Sequence, residues 1–238
     1  MIRDRKAFFL GIIMMISFLG IYAYMMSPSF GNGRNGLEFA DDMFNSISKG
    51  SALSIVQGEA KKADKWQGTV IDVSIKAKSG EEAARWASQY EKIDGVQVTA
   101  EKETLKIKGD LGKIMATIAK DSTDMYNNQG DIVKQRYGLD PREAVYNWYN
   151  STKQISKALD KQENFKQSAA IQGLQKKVIE PSYNYYGVET KHVKDNKGVM
   201  TFMLVFYMIY TIWYGFAIYY LCQGLGITMS KQAKKAEA

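Results

Sequence analysis

Cysteine and histidine are almost absent: the 238 residues hold one of each, Cys222 and His192. A disulfide framework, a Cys/His zinc cluster and a covalently attached c-type haem are thereby excluded. Proline is scarce too, with three in the chain. Charge is missing from two long stretches near the ends, although the formal net charge is +7. That surplus is largely terminal. Arg3, Arg5 and Lys6 against Asp4 give +2, Lys231, Lys234 and Lys235 against Glu237 give another +2, and only +3 remains for everything between. So small an excess, spread over several faces, argues against nucleic acid as a partner.

A catalytic set is also missing. Cys222 and His192 lie at opposite ends of one apolar stretch, so they do not form a nucleophile–base pair. Asp41–Asp42 and Glu81–Glu82 stand where helix starts favour acids. The segment DSTDMYNNQGD is rich in acids and amides but lacks the alternate spacing and central Gly of an EF-hand loop, and reads as a turn. GNGRNG matches G-x-G-x-x-G at Gly31, Gly33 and Gly36, yet it follows an apolar helix where a dinucleotide site needs a strand before it. No enzyme activity, cofactor or metal is expected from this inventory.

What is present begins with the two apolar stretches. Ala7 to Met26 runs twenty residues without a charge, and at ~1.5 Å per helical residue covers the roughly 30 Å hydrocarbon core of a bilayer. The stretch is longer than a cleaved signal's apolar core and lacks an A-x-A site, so an uncleaved anchor is expected. A second charge-free stretch runs from Gly198 to Ser230, densest from Val199 to Leu221. Basic residues flank both on the same side, which favours cytoplasmic termini and an extracytoplasmic stretch from Ser27 to Lys197. The expected location is the cytoplasmic membrane, with two passes and no room for a cytoplasmic output domain.

The second stretch carries nine aromatics. Tyr207, Tyr210 and Tyr214 are spaced three and four apart and share a helical face near mid-membrane, where each hydroxyl needs a partner that lipid does not supply. That face is expected to meet protein. Ser17 lies at matching depth in the first helix, so an antiparallel pair placing Ser17 close to Tyr207 or Tyr210 is the expected packing.

Between the two stretches the strongest pattern is in VIDVSIKAK, where Ile71, Val73, Ile75 and Ala77 alternate with polar residues, the period of a half-buried strand. Ser79 and Glu82 form a capping box for a helix with Ala83, Trp86, Ala87, Tyr90 and Ile93 on one face. VQVTA and TLKIKG make a hairpin, and Asp110 caps a helix bearing Leu111, Ile114, Met115, Ile118 and Met125. Strand, helix, strand, strand, helix is a split βαβ arrangement, a ferredoxin-like module short of one strand, with both helices on one sheet face. Its open edges allow pairing with another copy or with a partner's strand.

Asp140, Pro141 and Glu143 make a complete helix start. An apolar stripe then runs from Ala144 through Trp148 to Leu159, and resumes from Phe165 to Val178 until Glu180–Pro181 is expected to end it. A helical hairpin is favoured over one helix of forty residues, which would expose Trp148 and Phe165. Tyr183, Tyr185 and Tyr186 are expected to rest on membrane headgroups.

The chain thus divides into a cytoplasmic tail (1–6), a first membrane helix (7–26), a turn and short amphipathic helix (27–65), a small α+β module (66–130), a helical region (131–197), a second membrane helix (198–222) and a cytoplasmic tail (223–238). The fold class is α+β. The expected function is that of a non-enzymatic two-pass structural or accessory subunit, binding other membrane or envelope proteins, or copies of itself, through its extracytoplasmic domain. In layout the chain also resembles bacterial polysaccharide chain-length regulators, which implies an oligomeric regulator of surface-polysaccharide length. The Pro-rich stretch those proteins carry at their second membrane helix is absent, since NKGVMTFML has no Pro. No residue is carried over from them. A ligand-sensing domain acting through a membrane partner is the third alternative.

Overall fold

Apolar residues at every second position place one sheet face inside. In the computed structural model, which describes residues 2–227, β1 (Val70–Lys76) buries Ile71, Val73 and Ile75 and exposes the residues between. The protein is a mixed α+β structure with a small three-stranded antiparallel sheet. Its described residues form two units, 45–190 and, separately, 2–44 with 191–227. The basic residues Lys231, Lys234 and Lys235 and the expected C-terminal tail beyond Ile227 lie outside the described residues.

The unit 45–190 holds the sheet. After β1 come α3 (Gly80–Tyr90), β2 (Gln97–Glu101), β3 (Thr104–Asp110) and α4 (Leu111–Tyr126). β3 lies between the other two strands, pairing Val73 with Ile107 on one side and Val98 with Ile107 on the other. β2 and β3 join through Lys102 and Glu103, Lys102 taking a left-handed φ of 54°. The caps act locally. Ser79 Oγ accepts from the Glu82 amide at 3.2 Å, and Asp110 accepts from the amides of Lys113 at 2.9 Å and Gly68 at 2.5 Å. Two helices were expected on the sheet. A third reaches it: α3 packs over β2 and β3, while α6 (Pro141–Lys161) packs over β1. β1 needs that cover because Ile71, Val73 and Ile75 project inward from an edge strand.

The DSTDMYNNQGD segment is only partly a turn. Its first six residues complete α4, the chain turns at 127–129, and α5 (Gly130–Tyr137) follows. Asp121 and Ser122 are fully buried, so the helix continues with polar groups on its inner face. After α6 the chain reverses at Gln162–Asn164, with Glu163 at φ 61°, into α7 (Phe165–Leu174), which packs back on α6. The hairpin buries Trp148 completely but leaves Phe165 63% exposed. Pro181 does not stop the helix. A π-helical turn over Gln175–Ile179 leads into α8 (Glu180–Asn184), and Pro181 enters at the start of that new segment, where a missing amide costs least.

Tyr183, Tyr185 and Tyr186, expected on lipid headgroups, pack partly buried against the core of this unit. Tyr185 meets the Tyr126 ring edge-on at 6.0 Å, and the Arg142 guanidinium lies 5.5 Å from the ring centres of both Tyr183 and Tyr186. Cation–π attraction and an Arg142 bond to the Tyr186 carbonyl give those rings protein neighbours.

The expected short amphipathic helix is α2 (Gly36–Ala60), twenty-five residues long and spanning the boundary between the two units. Asn35 starts it, its Oδ1 accepting from the Leu37 and Glu38 amides while Glu38 accepts from the Asn35 amide. Gly31, Asn32 and Gly33 before it all have positive φ, so GNGRNG is a tight turn between two helices. The other unit contains α1 (Arg5–Met25) and α9 (Lys197–Leu225), which among the described residues are the two helices long and apolar enough to cross a membrane.

Candidate functional site

Two constellations stand out, one in each unit. In the first, α1 and α9 run antiparallel. The less exposed residues of α9 include Met203, Phe206, Tyr210, Trp213, Ala217, Tyr220 and Gly224, at alternating intervals of three and four, with Met200, Ile218, Leu221 and Cys222 beside them. Those of α1 include Ala7, Gly11, Met14, Phe18 and Ile21 on the same rhythm. Three-four spacing of this kind is the seam pattern of packed helix pairs. Small residues set its closeness at one end. A Cβ on Gly224 would fall 2.6 Å from the backbone of Phe8, and one on Gly11 would fall 2.7 Å from the Leu221 amide nitrogen. The amides of Arg3 and Asp4 also donate to the Gly224 carbonyl, at 2.8 and 3.1 Å.

The residues singled out from sequence distribute unevenly over this seam. Tyr210 faces α1: its ring stacks on Phe18 at 4.2 Å and its hydroxyl donates to the Phe18 carbonyl at 3.4 Å. Tyr214 borders the seam, 5.0 Å from the Phe18 ring centre. Tyr207 is 70% exposed. Ser17 turns its hydroxyl to the Met14 carbonyl of its own helix at 2.9 Å, and Trp213 donates to that same carbonyl at 3.2 Å. Sequence reading missed the small residues Ala7, Gly11, Ala217 and Gly224. The signal was there in the A-x-x-x-G spacing of Ala7 and Gly11.

The second constellation is buried in 45–190. Asp121 on α4 is fully buried and pairs with Arg136 of α5, while its Oδ2 accepts from Tyr137 Oη at 2.6 Å and Trp148 Nε1 at 2.8 Å. Arg136 also reaches Asp124 at 3.3 Å. Burial raises the Asp124 carboxyl above the usual range, with Lys120 opposing. One carboxylate therefore collects donors from α5 and α6, and every donor is internal. A reacting group has no free acceptor or approach here, so the cluster fixes three helices together. Trp148 in turn meets Tyr90 edge-on at 4.9 Å, and Tyr90 Oη and Ser151 Oγ are 3.0 Å apart.

Lys49 supplies a second internal cation. It is 1% exposed, and its ammonium donates to Asn128 Oδ1 at 3.0 Å and to the carbonyls of Tyr185 and Val188 at 3.0 and 2.7 Å. The Tyr126 ring centre lies 5.4 Å away, and the Tyr126 hydroxyl donates to the Lys49 carbonyl. With only neutral acceptors around it, burial lowers the Lys49 pKa. Glu59 on the same helix shows the opposite balance: burial would raise its carboxyl, but Lys62 and Lys177 at 2.8 and 3.3 Å hold it below the usual value.

These groups make stability depend on alkali in a defined way. Burial pushes Tyr126 and Tyr137 up to about 12 and Tyr90 higher still. A raised phenol keeps its proton in the folded chain, so its contribution is complete below the unfolded value of about 10 and disappears as pH climbs through the folded one. Lys49 acts in the opposite sense, since its lowered pKa makes folding more favourable as pH rises toward about 10.4. The thermal midpoint, followed by tryptophan fluorescence, is expected to hold or rise up to about pH 10 and to fall steeply from there to about pH 12. In Tyr90→Phe the alkaline fall should be smaller.

Among the described residues no three His, Cys, Asp or Glu side chains converge as metal ligands. His192 is exposed before α9 and Cys222 lies near its far end. An open groove lies between β1 and α6, lined by Ser74, Ile75, Lys76, Gln154, Lys157, Ala158, Asp160 and Lys161. The chain matches no known protein family, no curated protein and no solved structure.

Proposed function

We propose that this chain is a non-enzymatic two-pass membrane protein of the cytoplasmic membrane, a structural or accessory subunit whose domain between the two helices binds other envelope proteins or copies of itself. The observation that carries the reading is the outer surface of the α1–α9 pair. In each helix only 6% of the most apolar window is buried. Phe9, Ile13, Ile16 and Leu19 on α1, and Phe202, Leu204, Ile209 and Ile212 on α9, are exposed. An apolar surface of that extent is stable in lipid and a liability in water. Arg3, Arg5 and Lys6 beside the start of α1 favour a cytoplasmic N-terminus. An even number of crossings then puts the other end of the chain on the same side and residues 27–197 outside.

Support for an accessory role comes from where the chain invests its polar chemistry. Asp121, Arg136, Lys49 and Glu59 are all consumed by internal bonds. The test is purification of the tagged full chain in mild detergent. A stoichiometric companion, or a homo-oligomer by mass, is the expected result. A lone monomer under every gentle condition would overturn the reading.

A further inference from the structure

The alternation of an antiparallel ladder decides which backbone groups of β1 are free. Ala77 donates to Glu103 and Leu111 to Thr69, at 2.8 Å each, and the register between them pairs Ile75 with Leu105 and Val73 with Ile107. The odd-numbered residues of β1 therefore bond to β3, and Asp72, Ser74 and Lys76 turn their amides and carbonyls to the open edge. One of these is already taken: Gln162 Nε2 donates to the Asp72 carbonyl at 2.8 Å. Among the described residues the Ser74 amide and carbonyl and the Lys76 amide have no hydrogen-bond partner. The groove beside them has α6 as its far wall, which carries Lys157 and Lys161 against Asp160, while Lys76 is paired with Glu103 at 3.2 Å.

The strand order β1–β3–β2 gives this edge a further meaning. A complete split βαβ sheet of this type sets a fourth strand against β1, antiparallel to it. Among the described residues that strand is absent. The other edge, β2, is five residues long.

We propose that the β1 edge is the docking site of the protein's partner: an extended acidic segment of another polypeptide takes the fourth-strand position, bonds to the backbone of Ser74 and Lys76, and sets its carboxylates against Lys157 and Lys161. The proposal rests on the accessory-subunit reading and names the surface it uses. Main-chain bonds supply the binding and the lysines supply the choice of sequence. Gln162 marks one end of the site, since it closes the edge at Asp72.

The test uses the full chain in detergent and a capped, fluorescent heptapeptide alternating glutamate and valine, with its lysine–valine counterpart as the comparison. Anisotropy should report binding of the glutamate peptide only, weakening with added salt. Ser74→Pro removes an outward amide and no bond to β3, a change an edge strand tolerates. It should weaken binding at least tenfold with an unchanged thermal midpoint. Lys157→Glu with Lys161→Glu should do the same and transfer preference to the lysine peptide, whereas Ala100→Pro, on the β2 edge, should bind as the parent does. Equal binding of both peptides, or parent-like binding by Ser74→Pro, overturns the proposal. Conversion of a dimer to a monomer by Ser74→Pro also overturns it, because the occupant is then a second copy. A companion chain that co-purifies equally with the parent and Ser74→Pro leaves the accessory reading standing and removes only this site.

Discussion

Asp121→Asn is expected to lower the stability of the chain by about 3 kcal/mol, a fall in thermal midpoint on the order of 10 °C. The amide is nearly the same size, so the loss is electrical. Asp121 satisfies Arg136 with one oxygen, and the Tyr137 hydroxyl and the Trp148 indole with the other. An asparagine has only one acceptor oxygen and turns two N–H groups toward donors. Whichever way it flips, one buried donor faces another. Asp124→Asn is the informative control. That carboxyl is already disfavoured as an anion by burial, and its bond to Arg136 is longer, at 3.3 Å, so the loss should stay within about 1 kcal/mol. Fluorescence-monitored melting of the two variants beside the parent checks both figures. Equal losses would mean that the three donors do not depend on Asp121.

Gly224→Leu should separate α1 from α9. At this position even a methyl group would collide with the backbone of Phe8, which does not yield as a side-chain tip would. Overpacking of this kind costs about 1–3 kcal/mol, a fivefold to hundredfold loss of the paired state. With cysteines replacing Met14 and Trp213 in a Cys222→Ser background, a short bis-maleimide should join the helices in the parent and fail in Gly224→Leu and Gly11→Leu. Gly20→Leu and Gly215→Leu should cross-link normally, because no atom lies within 4 Å of a Cβ at either position. Loss of cross-linking in all four would reflect a general intolerance of bulk and would refute the seam.

How far the sequence foretold these features depended on contrast. β1 and the β2–β3 hairpin were legible because apolar and polar residues alternate there, and the caps at Ser79, Asp110 and Asp140 all act as their spacing implied. The reversal between α6 and α7 followed from the need to cover Trp148. The seam of α9 was obscured for the opposite reason. When nearly every residue is apolar, hydrophobic period carries no information, and the pattern survives only in size, as Ala217 and Gly224. Tyrosine spacing drew attention to a stripe through positions 207, 210 and 214, while the observed rhythm passes through 210 alone. Asp121 was hidden in a polar run that resembles a loop. Its partners lie 15, 16 and 27 positions further along, beyond the reach of any local window. The length of α2 was similarly non-local, since Gly50 and Gly58 weaken its helical signal and distant contacts at Lys49, Val56 and Glu59 restore it. Pro181 misled because a π turn before it had already released the amide that proline cannot supply.

Lys49 sits close to where the chain enters the unit 45–190, and the carbonyls it holds, those of Tyr185 and Val188, sit close to where the chain leaves. The two ends of a 146-residue fold are thus fastened by one ammonium group, with Tyr126 and Asn128 bridging the same two segments. Tension drawn through the flanking segments would load that fastening before it reached the sheet. The module is in effect a closed loop, entered and left at one clasp.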